Sequence, residues 1–491
     1  MGPALARCVV VVAGAAILVV ETLTTRLVAP YVGLTLESTT AAIGVALLGI
    51  AAGARWGGQL ADRHPPARVV SVALAVGGLL VLAVRPLVRA FGPVLGGGPV
   101  ASLLLVAIAA LGAVTALAMV TPAVTKARLG DVATAGGVIG SLSAAGTVGS
   151  LAGVFLTGFV LVALLPVAAI LLLTSAACLL SALVTSALLT SARRAKTTTV
   201  VAAAAVVAAA ALFTVRGPCS LDSTYFCANV VADPARPSGR TLLLDDLRHS
   251  YVDLADPAYL EFAYIQRMAD AVDTAFAAGA ALDTVHVGGG GFTMPRWLAA
   301  TRAGTRSTVL ELDPAVVELG RRELGVGEIP GVSVRLGDAR TSLTTIADAS
   351  MDLVVGDAFG SRSVPWHLAT REFVAEVRRV LRPGGVYVLN VIDNDPLGFL
   401  RAEVATVAAE FAQVGVMART DQLAAGGGGN AVVVAAADGL DWGQLTARTG
   451  RRPERPSVLD PAGAARFAAG SAVLTDDRAP VDQLLNPYTT R

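Results

Sequence analysis

The sequence predicts an α-helical bundle of about seven membrane-spanning helices, followed by an α/β domain that begins with a small β segment. Two observations lead to this fold class. Hydrophobic residues make up 54% of the 491 residues and charged residues only 15%, against about 25% charged residues in a typical soluble domain. The charges are also uneven, with 16 in residues 1–215 and 59 in residues 216–491. A wholly soluble protein, a disordered chain and a disulfide-rich miniprotein are therefore excluded.

Apolar segments long enough to cross a bilayer recur in the first part of the chain, where a helical span needs about 20 residues. They lie at 8–31, 40–60, 69–90, 99–121, 136–160, 163–191 and 198–215. The first segment resembles a signal peptide, but no small-x-small cleavage site follows it and more spans do. We therefore expect a multi-pass transmembrane domain over residues 1–215, embedded in the lipid bilayer of the cell membrane.

Lys and Arg residues between these segments predict the orientation of the bundle. Nine lie on one side and four on the other. The nine are Arg7, Arg55, Arg63, Arg68, Lys126, Arg128, Arg193, Arg194 and Lys196, and the four are Arg26, Arg85, Arg89 and Arg216. The nine-charge side is expected to be cytoplasmic, so seven spans would put the soluble domain outside the cell. One miscounted span reverses that expectation.

Two features inside the predicted spans have competing interpretations. Gly149 and Gly153 form a small-xxx-small pair, which is more typical of close helix packing than of a substrate path. Glu21 and Arg26 interrupt the first span, and ionisable groups at membrane depth are costly. Glu21 either pairs with another helix or marks the end of its span.

From residue 241 onward, short apolar strands alternate with helices. The predicted strands are 242–244, 250–252, 284–287, 309–312, 332–336, 351–355 and 386–391, and the predicted helices are 257–278, one starting at Pro314, 369–381 and 397–411. Such alternation predicts a parallel, doubly wound sheet. We therefore expect a linker, a small β segment and a helix over residues 216–280, and a Rossmann-like domain of the methyltransferase type over residues 281–491.

Glycines or acidic residues follow four successive predicted strands. Gly288–Gly291 follows the first of them and permits a tight turn with close approach of a ligand. Glu311 comes 20 residues later, where a carboxylate can accept hydrogen bonds from ribose hydroxyls. Asp338 and Asp357 follow the next two strands, and ligands of such sheets bind beyond the carboxyl ends of the strands. The pattern predicts a nucleoside-binding crevice, with helix capping as the alternative, and the absence of GxGxxG disfavours NAD.

These residues resemble the spermidine synthase (polyamine aminopropyltransferase) family, in particular its membrane-fused bacterial members. The resemblance covers residues 216–491 well and the membrane half more loosely. It rests on the glycine run, on Glu311 in Leu310–Asp313, on Gly337-Asp338, on Asp357 and on the turn Leu381–Gly385. It implies decarboxylated S-adenosylmethionine as a co-substrate, no permanently bound cofactor, and putrescine or a related small amine as the acceptor.

The resemblance also implies roles for single residues. Asp357 is expected to be catalytic and to contact the substrate, and Tyr264 and Tyr251 are expected to bind the substrate. His249 falls where the family often has a ligand-binding Gln. The residues implied in donor binding are Gly288, Gly289, Gly290, Glu311, Asp338 and His249.

Three positions depart from the family pattern. Gly291 stands where the family usually has an Asp that faces the aminopropyl amine. Gly360 stands where the second Asp of an Asp-x-x-Asp loop usually acts as the base, and Ile265 replaces the usual His. The loss of two carboxylates is expected to weaken both the binding of a cationic donor and the activation of an amine.

Four acidic residues are candidates for the missing base. Asp357 could serve, or Asp393, Asp476 or Asp477 could substitute. The simpler interpretation of Asp476 and Asp477 is an exposed turn.

The remaining residues that could be taken for functional ones have simpler structural explanations. His286 alternates within a core strand and is expected to be a packed core residue, and His367 is expected at the surface more than at the mouth of the crevice. Gly426–Gly429 lacks the Lys-Ser/Thr that follows in a phosphate loop. No CxxC pair or basic stripe with interleaved aromatics occurs, so neither a metal site nor nucleic-acid binding is expected.

Cys219 and Cys227 lie close together after the last apolar segment. Outside the cell, an oxidising compartment would permit a disulfide between them. Adenosylmethionine donors, however, are expected inside cells. The charge distribution and the enzyme hypothesis therefore point to opposite sides of the membrane.

Three functions remain open, and a homo-oligomer is possible for each. The leading one is a membrane-anchored aminopropyltransferase-like enzyme, in which decarboxylated S-adenosylmethionine donates to putrescine or a related amine. An S-adenosylmethionine-dependent methyltransferase keeps the fold and changes the donor. The third is a catalytically inactive nucleoside- or polyamine-binding domain attached to a transporter-like bundle.

Overall fold

The computed structural model describes residues 1–32, 36–95, 99–130, 135–187, 219–223, 225–245, 247–359, 364–424, 427–437 and 439–485. The chain divides into two compact units, Met1–Pro218 and Cys219–Arg491. The predicted linker, β segment and helix over residues 216–280 fall almost entirely within the second unit.

Long apolar helices make up the described part of the first unit. They are Pro3–Val32, Leu36–Arg63, Pro66–Leu95, Pro99–Val106, Gly112–Ala118, Val120–Arg128, Ala135–Leu156, Val162–Leu164 and Val167–Ser186, with π-helical turns at Ala107–Leu111 and Thr157–Leu161. Six stretches are long and apolar enough to cross a membrane: Pro3–Ala29, Ser38–Arg63, Pro66–Leu95, Val100–Arg128, Ala135–Leu161 and Val167–Ser186. The described residues thus give six spans where about seven were predicted, consistent with a multi-pass membrane protein. The seventh predicted span, 198–215, lies outside the described residues.

Glycines let the backbones of two of these helices pack in direct contact. A Cβ atom added to Gly149 would overlap the carbonyl oxygen of Val11, and one added to Gly153 would lie 2.5 Å from the carbonyl oxygen of Ala15. No side chain fits there, so helix Ala135–Leu156 packs directly on helix Pro3–Val32. The contact supports the packing interpretation of this pair of glycines.

The second unit begins with a four-stranded antiparallel sheet, which is the predicted small β segment. Its strands, in sheet order, are β1 (Leu221–Asp222), β2 (Cys227–Asp233), β3 (Arg236–Leu244) and β4 (Leu247–Asp253). A disulfide joins Cys219 to Cys227. It closes the loop that leads into β2.

An eight-stranded sheet forms the centre of the second unit. Its strands are β5 (Asp283–Val287), β6 (Arg306–Glu311), β7 (Val332–Leu336), β8 (Met351–Gly356), β9 (Leu381–Asp393), β10 (Gln413–Ala418), β11 (Gly429–Ala436) and β12 (Ser457–Leu459). The order is β12-β10-β11-β9-β8-β5-β6-β7. Strands β5 to β9 pair in parallel, as predicted. Strands β10 to β12 add an antiparallel part that the sequence did not predict.

The chain order reverses between β5 and β8, which are neighbours in the sheet. Such a switch point is where ligands bind to open α/β sheets. The Rossmann-like, methyltransferase-type fold is therefore present.

Helices cover both faces of the large sheet. Those of the second unit are Ala263–Ala275, Thr293–Thr301, Pro314–Glu323, Ala339–Leu343, Arg371–Val380, Gly398–Ala408, Thr420–Leu423, Trp442–Thr449, Pro461–Phe467 and Val481–Leu484. Alternate residues of the central strands enter two apolar cores, with Val354 in one and Leu353 and Val355 in the other, as the twofold period of a strand requires.

The predicted helix 257–278 is shorter than expected and begins at Ala263. The Asp253 carboxylate accepts hydrogen bonds from the backbone N–H groups of Ala255 and Asp256 at 2.8 and 3.0 Å. Phe262, the residue before the helix, has an extended backbone with φ −79° and ψ 133°, so the helical hydrogen bonding does not continue back toward residue 257.

Candidate functional site

The glycine run forms a tight turn at the carboxyl end of β5. Gly288 has φ +93°, a left-handed conformation that favours glycine. A Cβ atom there would lie 2.5 Å from the carbonyl oxygen of Asp357. The ends of β5 and β8 therefore approach each other closely, and only glycine permits this approach.

Glu311 ties the end of β6 to this turn. One of its carboxylate oxygens accepts hydrogen bonds from the N–H groups of Gly289 and Gly290 at 2.8 and 3.3 Å. The other accepts from the N–H of Asp313 at 2.9 Å. Burial raises the pKa of Glu311, although these hydrogen bonds favour the ionised form. The structure thus brings the predicted glycines and Glu311 together.

Asp338 follows β7 and begins helix Ala339–Leu343. Its side chain accepts a hydrogen bond from the N–H of Thr341 at 3.0 Å, and its second oxygen lies 2.8 Å from Nε2 of His367. Partial burial opposes ionisation, but the bonds from Thr341 and His367 lower the pKa of Asp338. His367, for which a surface position was favoured, is therefore the partner of a predicted site residue.

The segment before β2 also reaches this region, which the sequence did not predict. The Ser223 hydroxyl hydrogen-bonds to the Asp313 carboxylate. Burial and the charges of Asp313 and Asp338 raise the pKa of Tyr225. The Cys219–Cys227 disulfide brackets this segment. Its sequence carries no local signal beyond the two cysteines.

Asp357 is the acidic residue at the end of β8. Its Oδ1 accepts a hydrogen bond from Nδ2 of Asn390 at 2.8 Å, and its Oδ2 accepts one from the hydroxyl of Tyr264 at 3.1 Å. Removal from bulk water raises the pKa of Asp357 to about 6, despite both hydrogen bonds. A carboxyl group with this pKa can exchange a proton near neutral pH.

A cavity of about 440 Å³ opens beside Asp357. The predicted residues His249 and Tyr264 line it together with Asp357. Burial lowers the pKa of His249 to about 4, so its imidazole is neutral at pH 7. Asn390 and Asn430 complete this wall, with Nδ2 of Asn430 donating to Oδ1 of Asn390 at 3.0 Å. Neither amide was predicted from the sequence.

Tyr251, the other predicted substrate-binding residue, does not reach the cavity. Its hydroxyl lies 2.8 Å from Oδ2 of Asp233 within the small sheet, and its ring packs edge-on against Tyr259. Its side chain is almost fully buried there, with 2% exposure. Tyr251 therefore packs within the small sheet.

The other candidate bases lie elsewhere. Asp393 is fully buried and accepts a hydrogen bond from the N–H of Leu400 at 2.8 Å. Asp476 forms two hydrogen bonds with Arg340, of 2.7 and 2.5 Å. Asp477 is exposed. Of the four candidates, Asp357 is the one that lines the cavity.

Gly291 and Ile265, two of the positions that depart from the family pattern, lie in different surroundings. The N–H of Gly291 donates to the Ser250 hydroxyl at 2.8 Å, and a Cβ atom at Gly291 would lie 2.6 Å from Cβ of Ser250. Ser250 thus fills the space that a side chain at position 291 would need. Ile265 is a buried core residue, and Gly360 lies outside the described residues.

The remaining predictions concern residues away from the crevice. His286 is buried, with Nε2 3.0 Å from the Thr284 hydroxyl, and burial lowers its pKa to about 3. It is a core residue, as expected. Gly429 begins β11 and lines the cavity, whereas Gly426 lies outside the described residues. Within the described part of the chain, His, Cys, Asp and Glu side chains form no cluster that could hold a metal ion.

Residues 285–389 match the family model described as a methyltransferase domain. The polyamine aminopropyltransferase of Vibrio vulnificus is 30% identical over 113 residues, which cover 23% of this chain and 38% of that protein. An uncharacterized protein of Methanocaldococcus jannaschii is 34% identical over 93 residues, 18% of this chain and 31% of that protein. The matched segments therefore span about a third of the length of these relatives.

A solved structure extends the likeness over the second unit. The crystal structure of a probable spermidine synthase from Corynebacterium glutamicum matches with a TM-score of 0.50 and 26% sequence identity, covering 53% of this chain and 97% of that one. Together with the methyltransferase-type sheet and the strand-end residues, this match shows that the domain that follows the apolar helices in the sequence is similar to spermidine synthases.

Proposed function

We propose that the second unit transfers an aminopropyl group from decarboxylated S-adenosylmethionine to a small amine. One observation carries this proposal. The backbone carbonyl of Asp357 lies against the glycine turn, and the same residue lines the 440 Å³ cavity. A base in this position would lie between the nucleoside crevice and the cavity that would hold the acceptor.

The chemistry requires a base of this kind. The acceptor nitrogen attacks the aminopropyl carbon that is bonded to the sulfonium sulfur, so a C–N bond forms and the C–S bond breaks. The electron pair of the broken bond goes to sulfur, and neutral methylthioadenosine leaves. A protonated amine has no lone pair for the attack, so a neighbouring carboxylate must take its proton. Asp357 is the residue proposed for this step.

Tyr264 and Asn390 hold the two Asp357 oxygens at 3.1 and 2.8 Å. Their hydrogen bonds fix the direction of the carboxylate toward the acceptor. Because they also favour the ionised form, they keep the pKa from rising further and leave Asp357 ionised at neutral pH.

The donor is proposed to bind at Gly288–Gly290, Glu311 and Asp338. The Glu311 carboxylate suits the two ribose hydroxyls, and Asp338 is placed to accept from an adenine amino group. His249, neutral and on the cavity wall, would border the aminopropyl chain. We further propose that the first unit anchors this domain in the membrane.

The test uses purified full-length protein with putrescine and decarboxylated S-adenosylmethionine, and a parallel tube with ordinary S-adenosylmethionine. Mass spectrometry should detect spermidine and methylthioadenosine in the first tube. The absence of product in both tubes, together with a ligand-induced thermal shift, would make the domain a binding module and defeat the proposal.

A methyltransferase is the second candidate, and one contact favours it. Ser250 occupies the space beside Gly291, where the family resemblance leads us to expect an amine-facing acid. Without that acid, the carboxylate of ordinary S-adenosylmethionine is not repelled. A methylated amine in the second tube would establish this function.

We also propose that the second unit lies outside the cytoplasm. The charge distribution over seven spans, with the predicted span 198–215 counted, supports this side, and so does the Cys219–Cys227 disulfide. Intact cells would be reduced and treated with a membrane-impermeant thiol reagent. Labelling of these two cysteines before lysis is expected, and protection until lysis would place the unit inside.

A further inference from the structure

We propose that the acceptor is an amine that also carries a carboxylate, such as a diamino acid, rather than a simple dicationic diamine. This inference rests on the proposed aminopropyl transfer and adds the substrate class. It comes from the charges on the cavity wall. Arg248, Arg267 and Arg419 line the same 440 Å³ cavity as Asp357.

Arg267 is the innermost of the three, with its side chain only 5% exposed. Its Nη1 donates to the backbone oxygen of Asn430 at 3.0 Å, and its Nε donates to that of Ala263 at 3.2 Å. Its Nη2 lies 3.6 Å from Oε2 of Glu454, which is too long for a hydrogen bond. Nη2 and Oε2 form an ion pair across this gap without a hydrogen bond, so an anion in the cavity would compete with the partly exposed Glu454 for this end of the guanidinium.

The acidic residues of the cavity do not cancel this positive region. The Glu454 side chain is 46% exposed, so solvent weakens its attraction to Arg267. Glu261 accepts a hydrogen bond from the Tyr259 hydroxyl at 2.5 Å. The third acid, Asp357, is the proposed base. A dicationic acceptor would meet three guanidinium groups beside these three carboxylates, whereas an acceptor with its own carboxylate offers guanidinium the group that it binds best.

The positive region and the base form two separate parts of one wall. Arg267 bonds to the Asn430 backbone, the Asn430 side chain bonds to Asn390, and Asn390 bonds to Asp357. Two amide side chains thus separate the guanidinium from the carboxylate. Arg267 and Tyr264 are three residues apart on helix Ala263–Ala275 and so lie on one face of it. An acceptor can place its amine at Asp357 and its acid group at Arg267.

The other two arginines lie nearer to solvent. The Arg419 side chain is 41% exposed and pairs with Asp421 at 3.0 Å. Arg248 is exposed and lies over the ring of Phe262, with 5.2 Å between its central carbon and the ring centroid. Substitution of these two residues removes positive charge from the cavity without disturbing the buried core.

The experiment compares putrescine with ornithine, which is putrescine with one added carboxylate. Full-length protein with decarboxylated S-adenosylmethionine should use ornithine with a kcat/KM at least about tenfold higher, because a hydrogen bond to a charged group contributes about 1.5–3 kcal/mol. Arg419→Gln and Arg248→Gln should each reduce this preference several-fold. Arg466→Gln, a matched change at an exposed arginine outside the cavity, should leave it unchanged.

Calorimetry with methylthioadenosine present supplies a readout that needs no turnover. Tighter binding of ornithine than of putrescine, weakened in Arg419→Gln, is expected. Efficient turnover of putrescine with no gain for ornithine would overturn the inference and leave aminopropyl transfer standing. Consumption of ordinary S-adenosylmethionine with no binding of ornithine would assign the arginines to the donor carboxylate and overturn it as well. Failure of both acceptors to bind or react would overturn both proposals.

Discussion

The proposed donor crevice and the proposed acceptor cavity share Asp357 but are built in different ways. The crevice consists of residues at the carboxyl ends of β5, β6 and β7, namely the glycine turn, Glu311 and Asp338. Backbone N–H groups hold its carboxylates. The cavity instead takes side chains from helix Ala263–Ala275, from β9 and from the antiparallel part of the sheet.

This difference indicates which part of the site can change. A crevice held by backbone geometry tolerates few substitutions, because Gly288 and Glu311 fix the turn itself. The cavity depends on side chains that project from elements stabilised by other contacts. A change of acceptor therefore requires only new cavity residues, whereas a change of nucleoside would require a new turn.

The largest expected effect comes from Asp357→Asn, which removes the base shared by the two regions. The turnover rate should fall about 10²–10⁴-fold, the usual contribution of general base catalysis. Binding of methylthioadenosine should change little. Asp477→Asn, at an exposed position, is the control and should retain full activity. Normal turnover by Asp357→Asn would show that another residue takes the proton.

Glu311→Gln should affect the crevice and spare the cavity. The dissociation constant for methylthioadenosine, measured by calorimetry, should rise about 10–100-fold because a charged acceptor for the ribose hydroxyls is lost. Glu318→Gln, at an exposed position on helix Pro314–Glu323, is the matched control. An unchanged dissociation constant for Glu311→Gln would mean that the ribose binds elsewhere.

The pH dependence of the turnover rate tests the ionisation of Asp357, the residue that the two regions share. Asp357 acts as a base only when ionised, and its pKa is about 6. The rate should therefore fall about tenfold for each pH unit below 6. Asn390→Ala removes a hydrogen bond that favours ionisation and should move the midpoint to higher pH. A midpoint that stays in place would rule out Asn390 as a positioning residue for Asp357.

The smallest effect is expected from His367→Gln at the edge of the crevice. Its contact with Asp338 joins side chains that are 31% and 36% exposed, and such pairs contribute up to about 1 kcal/mol. Affinity for methylthioadenosine should fall no more than about fivefold. A much larger loss would show that His367 contacts the donor itself.

The sequence predicted the crevice better than the cavity for a physical reason. Gly288, Glu311 and Asp338 each lie at the carboxyl end of a strand, so strand periodicity and the glycine run locate them. Arg267 and Asn430 are 163 residues apart in the chain, and no local pattern indicates that they meet. Tyr251 was assigned to the substrate by resemblance, yet its hydroxyl turns to Asp233.

The same contrast holds at the level of the fold. The parallel strands β5 to β9 alternate with helices and were predicted from that pattern. The antiparallel direction of β10 to β12 depends on pairing between distant segments, which propensity does not encode.

The contact between Ser250 and Gly291 also constrains how this protein can evolve. A single Gly291→Asp change would drive a new side chain into Ser250, since the two Cβ atoms would lie 2.6 Å apart. Ser250→Gly alone would remove the hydroxyl that accepts from the Gly291 N–H. Each single change is damaging, and only the pair restores the acid. The two positions are therefore coupled, and the effect of a substitution at one depends on the residue at the other.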